Sequence, residues 1–366
     1  MWSYTCNNKT FDFKLLAIDE HLKTKQPIHF HAPEEYNTFD FSIEPNETWA
    51  TLLKNEAIKL RETYQFIKLW YSGGADSHLI LTTFIENNIH IDEICCMKSG
   101  FDDADYEISN YAEPFLKTIQ KQIPKTKINI INPTILDYEN YYNKKFTKNS
   151  SGWGYHCFRL IYHDELIKDY NQKEGLINIF GADTPIILQK NNNWYTYWLD
   201  GKIEPNLNKY NFFANNPIIH SKQCHMLLKS CDLNKGSNKF FISSLPNGDE
   251  KEQDFFRSST GRLKKLMPYK KTYYNENKNN YLTLGDKKIY YSSNKEKFAI
   301  QTAIKKYPNL ITTWKNKLLE LMDIQSPWWN YGVPEYGYLG TFSKFYCLTD
   351  NHSKTVDDLY PDGFKP

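Results

Sequence analysis

Between residues 46 and 190 the apolar positions fall into short runs that alternate with longer stretches of helical spacing. Trp49, Leu52, Leu53, Ala57 and Leu60 recur at the three- and four-residue intervals of one helix face, and Asn46 or Thr48 can cap that helix. Phe66 to Tyr71 is a short aromatic-rich run that suits a buried strand. A Gly-containing turn follows at Ser72 to Asp76, then a helix through Leu79, Ile80, Leu81 and Phe84. Ile91 to Met97, Lys127 to Ile131 and Gly175 to Phe180 predict three further strands. The intervening helices run from about Asp105 to Ile123, with a break at Pro114, and from about Tyr155 to Tyr170.

Strands alternating with helices of this length predict βαβ units, right-handed crossovers and a parallel sheet. The expected fold class is therefore α/β, a Rossmann-like parallel sheet flanked by helices. Residues 1–45 are mixed and polar and are expected to form an N-terminal extension, with short strands near Phe11 to Leu16 and Ile28 to Phe30. Residues 46–190 form the expected α/β domain. Past residue 190 the regularity is lost, and 191–366 is expected to be a mainly helical or irregular C-terminal elaboration. Within it, Lys295 to Met322 predicts a helical pair broken at Pro308, and Trp328 to Pro366 is rich in Gly, Pro and Tyr and reads as irregular.

At 366 residues the chain is long for one compact unit, and 40% apolar against 24% charged residues allows a sizeable core. Aromatic residues reach 16%, with 27 Tyr and 22 Phe, and a bias towards Lys, Asn, Tyr, Phe and Ile is the simplest account. Charge is balanced, 45 basic against 43 acidic residues, so nothing announces a nucleic-acid binder, although the balance does not exclude one. The basic runs at 121–127, 257–271 and 287–297 read as solvated faces. Seven cysteines without a C-x-x-C pair give no zinc ribbon and no thioredoxin-type redox pair. Cys95 and Cys96 are adjacent in a strand and so point to opposite faces. No leader-like run opens the sequence and no apolar window is long enough to span a bilayer, so a cytoplasmic protein with free thiols is expected.

The candidate chemistry lies in the turn after the first strand of the sheet. In open parallel sheets, ligands sit beyond the carboxyl ends of the strands. Gly73 and Gly74 allow consecutive N–H groups to converge on an anion, and the following helix adds its positive end. Ser72 and Ser77 offer hydroxyls. Asp76 repels phosphate, and so makes sense here as a ligand to a Mg²⁺ that the phosphates share.

Ser72-Gly73-Gly74-Ala75-Asp76-Ser77 resembles the SGGxDS loop of the N-type ATP pyrophosphatases, the PP-loop superfamily, and not a Walker P-loop. Within that superfamily, residues 45–190 look most like the synthetase domain of asparagine synthetases. Gly100-Phe101, Asp105-Tyr106-Glu107 and Tyr111-Ala112 resemble the stretch after its second strand, and Gly181-Ala182-Asp183 resembles its G-x-D. The resemblance implies a HUP-type fold that binds ATP and Mg²⁺, adenylates an acceptor carboxyl or amide oxygen, and releases pyrophosphate. An amine or other nucleophile then displaces AMP. Ser72, Gly73, Gly74, Asp76 and Ser77 would hold the pyrophosphate, and Asp76 and Asp183 the metal. Met97 and Lys98 end the second strand, where the superfamily recognises adenine through backbone groups. Lys264 or Lys265 is the candidate for the late lysine on pyrophosphate, although a solvated surface is the simpler account of that segment.

Phe180 and Thr184 stand where the family carries acidic residues, so the resemblance does not carry asparagine formation with it. The 71 residues ahead of Ser72 are too few for a glutaminase domain, and position 2 is Trp2 in place of a nucleophilic cysteine. The amine donor is then external, and the acceptor is a small molecule or a nucleobase. Tyr155, His156 and Arg159, in a Gly-containing segment, can form an acceptor site, or can simply start a helix with Tyr155 in the core. The cluster Asp102, Asp103 and Asp105 reads as helix capping before metal binding. Two other functions fit the same loop: thiolation or sulfonucleotide chemistry, and a non-catalytic nucleotide-binding paralogue.

Overall fold

In the computed structural model, the described residues are 2–100, 105, 108–147, 162, 166, 174–181, 186–190, 193–198, 209–230, 306–310, 312–313, 316 and 343–359. The centre is a five-stranded sheet, parallel at every pairing, made of β4 (Phe66–Trp70), β5 (Glu93–Met97), β6 (Lys127–Ile131), β7 (Leu176–Phe180) and β10 (Lys209–Asn211). Its spatial order is β10-β7-β4-β5-β6, so strand order reverses between β4 and β7. With helices flanking it, this is an α/β Rossmann-like fold. Parallel neighbours need crossover connections, and α4 (Ala75–Glu86) supplies the one between β4 and β5.

Local sequence accounts for most of these elements. Thr48 caps α3 (Trp49–Thr63) by accepting a hydrogen bond from the Thr51 amide. Thr134 and Asp137 form a reciprocal capping box that starts α6 (Ile135–Lys144). One sheet face presents Ile67, Leu69, Ile94, Cys96, Ile177 and Ile179 to the main core. Cys95 faces the other way, in a small cluster with Trp70, Met97, Ile131 and Phe180. The opposite-face reading of the adjacent cysteines follows from the strand's two-residue period.

Several elements differ from the sequence reading. The expected strand over Phe11 to Leu16 is instead the end of β2 (Lys9–Phe11) and the start of helix α1 (Lys14–Thr24). The N-cap position of α1 is Phe13, whose side chain makes no cap hydrogen bond, so no polar signal announces the helix. The helix expected from about Asp105 opens in part as a π-helical turn, Ile108–Ala112, before α5 (Glu113–Ile119), with Pro114 in the first turn of α5 where its missing N–H costs nothing. Beyond residue 190 there is regular structure: β9 (Asn193–Tyr197), β11 (Phe345–Cys347) and β12 (Ser353–Lys354) join β8 (Ile186–Lys190) in an antiparallel sheet ordered β12-β11-β9-β8. Helix α7 (Pro217–Ser230) belongs to the same region. The segment from Trp328 onwards, read as irregular, thus contributes two strands, of which β11 pairs with β9 about 150 positions earlier, with Tyr346 opposite Thr196, and β12 pairs with β11.

The N-terminal strands β1 (Ser3–Cys6), β2 and β3 (Ile28–His31) form a third, antiparallel sheet. Residues on either side of positions 45 and 190 share one continuous core that includes Trp2, Tyr36, Leu53, Ile179, Trp198 and Tyr346. At one node of it, Trp198 Nε1–H donates to His220 Nδ1 at 2.9 Å, which fixes the His220 proton on Nε2, facing Thr196 Oγ1 at 2.9 Å. The Tyr36 hydroxyl donates to the Ala214 carbonyl at 2.7 Å beside the same ring. Complete burial pushes the His220 pKa down to about 3, so this histidine is a neutral structural brace. Among the described residues, no helix is long and apolar enough to cross a membrane.

Candidate functional site

The turn after β4 sits where strand order reverses, which in open α/β sheets is the crevice that receives ligands. Gly73 adopts φ +75°, a conformation that favours glycine. A Cβ there would also come within 2.9 Å of the Ala112 Cβ, so the π-helical turn lies directly against the loop. The loop is held in shape by its own serines. Ser77 Oγ donates to the Gly74 carbonyl at 3.1 Å and accepts from the Ser72 amide at 3.2 Å. Ser72 Oγ accepts from the Gly74 amide at 3.2 Å. Behind the loop, the Tyr71 hydroxyl meets His78 Nδ1 at 2.9 Å, and the His78 ring packs on Phe115.

Gly74 is the N-cap of α4 and Asp76 lies in its first turn. The opening amides of a helix have no intrahelical acceptors and carry the positive end of its dipole. The turn thus joins a left-handed glycine and the positive end of α4 with two serine hydroxyls and one carboxylate. An anion of phosphate type fits that chemistry, and a divalent cation shared between Asp76 and such an anion would offset their repulsion.

The end of β7 closes this turn from one side. A Cβ on Gly181 would fall 2.8 Å from the Asp76 Cβ and 2.9 Å from the Ser77 nitrogen, so the backbone at Gly181 rests on the first turn of α4. Beside it, Trp70 and Phe180 stack with centroids 5.9 Å apart at the ends of β4 and β7.

On the other side lies the end of β5, with Met97 and Lys98. Lys98 N–H donates to the Ile131 carbonyl at 2.8 Å, and its Nζ is 3.1 Å from Glu113. Glu113 also holds Lys117 at 3.1 Å, and the two lysines keep its carboxyl below the usual range. Asp105, read from sequence as a capping residue, is buried and accepts from the backbone amides of Ser99 (2.5 Å) and Gly100 (3.1 Å). Tyr138 O–H donates to the Ser99 carbonyl at 2.8 Å, so this turn is fixed at both polar groups. Nothing in the local pattern singled out Asp105 for that task, because its partners precede it and the bonds depend on how the chain folds back.

The structure therefore brings together Ser72, Gly73, Gly74, Asp76, Ser77, Met97 and Lys98 at one sheet edge, with Gly181 seated on the loop. Asp183, Tyr155, His156, Arg159, Lys264 and Lys265 lie outside the described residues. Among the described residues no three His, Cys, Asp or Glu side chains converge to hold a metal. Burial pushes the thiols of Cys95, Cys96 and Cys224 up to about 12, which makes them poor nucleophiles. Comparison of the chain with protein families, with curated proteins and with solved structures finds no match.

Proposed function

We propose that this chain is an ATP-binding, AMP-forming ligase, built on a HUP-type variant of the Rossmann-like fold. One observation carries the reading: a left-handed Gly73 loop opens helix α4 at the strand-order reversal, with the backbone of Gly181 pressed onto that helix start. A site of this construction is shaped for a phosphate chain approached by main-chain groups. The order β6-β5-β4-β7-β10 supports the HUP-type assignment.

In this reading Ser72, Gly73, Gly74 and Ser77 bind the pyrophosphate portion of ATP. Asp76 would hold a Mg²⁺, with Asp183 the proposed second carboxylate. Magnesium suits such a site because it is usually held by one or two carboxylates and substrate phosphates, and when bound it neutralises leaving-group charge. An acceptor carboxyl or amide oxygen attacks the α-phosphorus, and the bond to the pyrophosphate oxygen breaks with its electron pair leaving on pyrophosphate. The positive end of α4 would stabilise that growing negative charge, and the Ser72 and Gly74 amides, bonded to the loop's own serines, would exchange those bonds for the phosphate oxygens. An external amine then attacks the activated carbon and AMP departs. Tyr155, His156 and Arg159 are the proposed acceptor-binding group, and Lys264 the proposed late cation on pyrophosphate.

The raised thiol pKa values favour this chemistry over thiolation among the described cysteines. Five buried free thiols among the described residues suit a reducing compartment, and a cytoplasmic location is proposed on that basis.

The test is pyrophosphate release from ATP and Mg²⁺ over a panel of amino acids and nucleosides, with ammonia or glutamine supplied as donor. One acceptor is expected to raise release well above background. Absence of any binding of ATP or AMP in the presence of Mg²⁺ would overturn the proposal. Tight binding with no turnover on any acceptor would instead identify a nucleotide-binding protein without synthetase activity.

A further inference from the structure

The chain enters the loop at Tyr71 and leaves it at His78, and these two side chains meet behind it. The Tyr71 hydroxyl lies 2.9 Å from His78 Nδ1. Both residues are buried, at 1% and 6% exposure, so breaking the bond would leave polar groups without water to replace it. One end of the loop is anchored in the sheet, where the Tyr71 amide donates to the Cys95 carbonyl at 2.8 Å. The other is anchored in α4, where the His78 amide donates to the Gly74 carbonyl at 2.9 Å. The side-chain bridge therefore joins sheet to helix at the base of the loop. A contact that holds both ends of so short a segment limits the conformations open to the residues between them.

The loop's own bonds are of a different kind. The Ser72 amide is bonded to Ser77 Oγ and the Gly74 amide to Ser72 Oγ, and phosphate oxygens would compete for those same amides and hydroxyls. The bridge between Tyr71 and His78 uses none of these groups. It is tied instead to the neighbouring element. The His78 ring packs on Phe115 with centroids 4.7 Å apart, and the Tyr71 ring lies 6.2 Å from the same Phe115. Phe115 belongs to α5, which continues the π-helical turn whose Ala112 leaves no room for a Cβ at Gly73. The base of the loop and its left-handed glycine are thus set against one unit.

Resting on the nucleotide reading above, we propose that Tyr71 and His78 are positioning residues for pyrophosphate binding. Their buried bridge holds the ends of the loop at the spacing the anion requires, so that binding does not have to order the loop as well. Both side chains act through the loop and not by contact with the ligand.

Calorimetric titration of the full chain with inorganic pyrophosphate and Mg²⁺, together with urea unfolding, tests this on wild type, Tyr71→Phe, His78→Leu, their double variant and His78→Gln. Tyr71→Phe and His78→Leu should each lower pyrophosphate affinity by about tenfold. The double variant replaces both partners by apolar groups, so it should be more stable than the weaker single variant. Its pyrophosphate affinity should nevertheless stay as low as theirs. His78→Gln, which still offers the tyrosine hydroxyl a partner, should keep most of the wild-type affinity. A bridge that only supports the fold would give another pattern, with affinity unchanged in every folded variant or recovering in step with stability in the double variant. Either result overturns the assignment, as does His78→Gln binding no better than His78→Leu. If a single variant fails to fold, the double variant and His78→Gln decide between the same outcomes. Failure of wild type to bind pyrophosphate and ATP alike would instead remove the loop proposal itself.

Discussion

Gly181 and Asp76, more than a hundred residues apart in sequence, meet so closely that a Cβ on Gly181 would fall 2.8 Å from the Asp76 Cβ. The end of β7 and the start of α4 are therefore one structural unit. A change on one strand end is felt by the loop that follows the other.

Gly181→Ala should displace the start of α4. Overpacking of this kind costs about 1–3 kcal/mol. Because the displaced atoms belong to the proposed phosphate site, pyrophosphate affinity should fall as well, by calorimetry. A variant with native stability and native pyrophosphate binding would show that the loop tolerates the added methyl, and that the closeness at Gly181 has no bearing on the site.

Asp76→Asn keeps the size and position of the side chain but removes its charge. The fold should be retained, with an unchanged unfolding midpoint and circular dichroism. Acceptor-dependent pyrophosphate release should be abolished. Near-normal release from a well-folded protein would refute the proposed metal role of this carboxylate.

Stability should fall in mild acid because of His220. Its pKa in the folded state is about 3, below the roughly 6.5 of an exposed histidine in the unfolded chain. The unfolded state therefore takes up the proton first. The contribution is intact above about pH 6.5 and is lost as pH falls towards 3, at about 1.4 kcal/mol per pH unit. Urea titrations of wild type and His220→Asn from pH 7.5 to 5 measure the difference. The variant should be less stable at neutral pH yet show a shallower acid dependence, and parallel curves would exclude His220 as the source.

Tyr36→Phe deletes the hydroxyl that donates to the Ala214 carbonyl and sits 3.1 Å from His220 Nδ1. Both partners are buried, so a loss of about 1–3 kcal/mol is expected in chemical denaturation. The site at the sheet edge is not touched, and ATP and pyrophosphate affinities should stay within error of wild type.

Asp105→Ala leaves the buried Ser99 amide and its Gly100 neighbour without their acceptor. A destabilisation of about 1–3 kcal/mol should follow. Urea denaturation measures it, and a variant as stable as wild type would show that the turn does not need this carboxylate.

How far the sequence was legible depended on the range of the interactions involved. The alternation from Trp49 to Ile131, the strand ending at Phe180, the Thr48 cap, the Gly73 turn and the opposed faces of Cys95 and Cys96 all follow from periodicity and backbone geometry within a few residues, while the helix expected from about Tyr155 to Tyr170 lies largely outside the described residues. The α/β class and the loop's place at a strand end followed from these. Other features needed the folded chain. The three-residue strand β10 carries no pattern of its own and exists because β7 offers it an edge. Strand β11 exists because β9, far earlier, pairs with it. Asp105 became a backbone clamp, Gly181 a support for the loop and His220 a neutral brace only through contacts between distant segments. Local sequence sets what each segment prefers and the shape of the turn after β4. Which strand lies beside which, and so what surrounds that turn, was decided by burying apolar surface and satisfying buried polar groups across the whole chain at once.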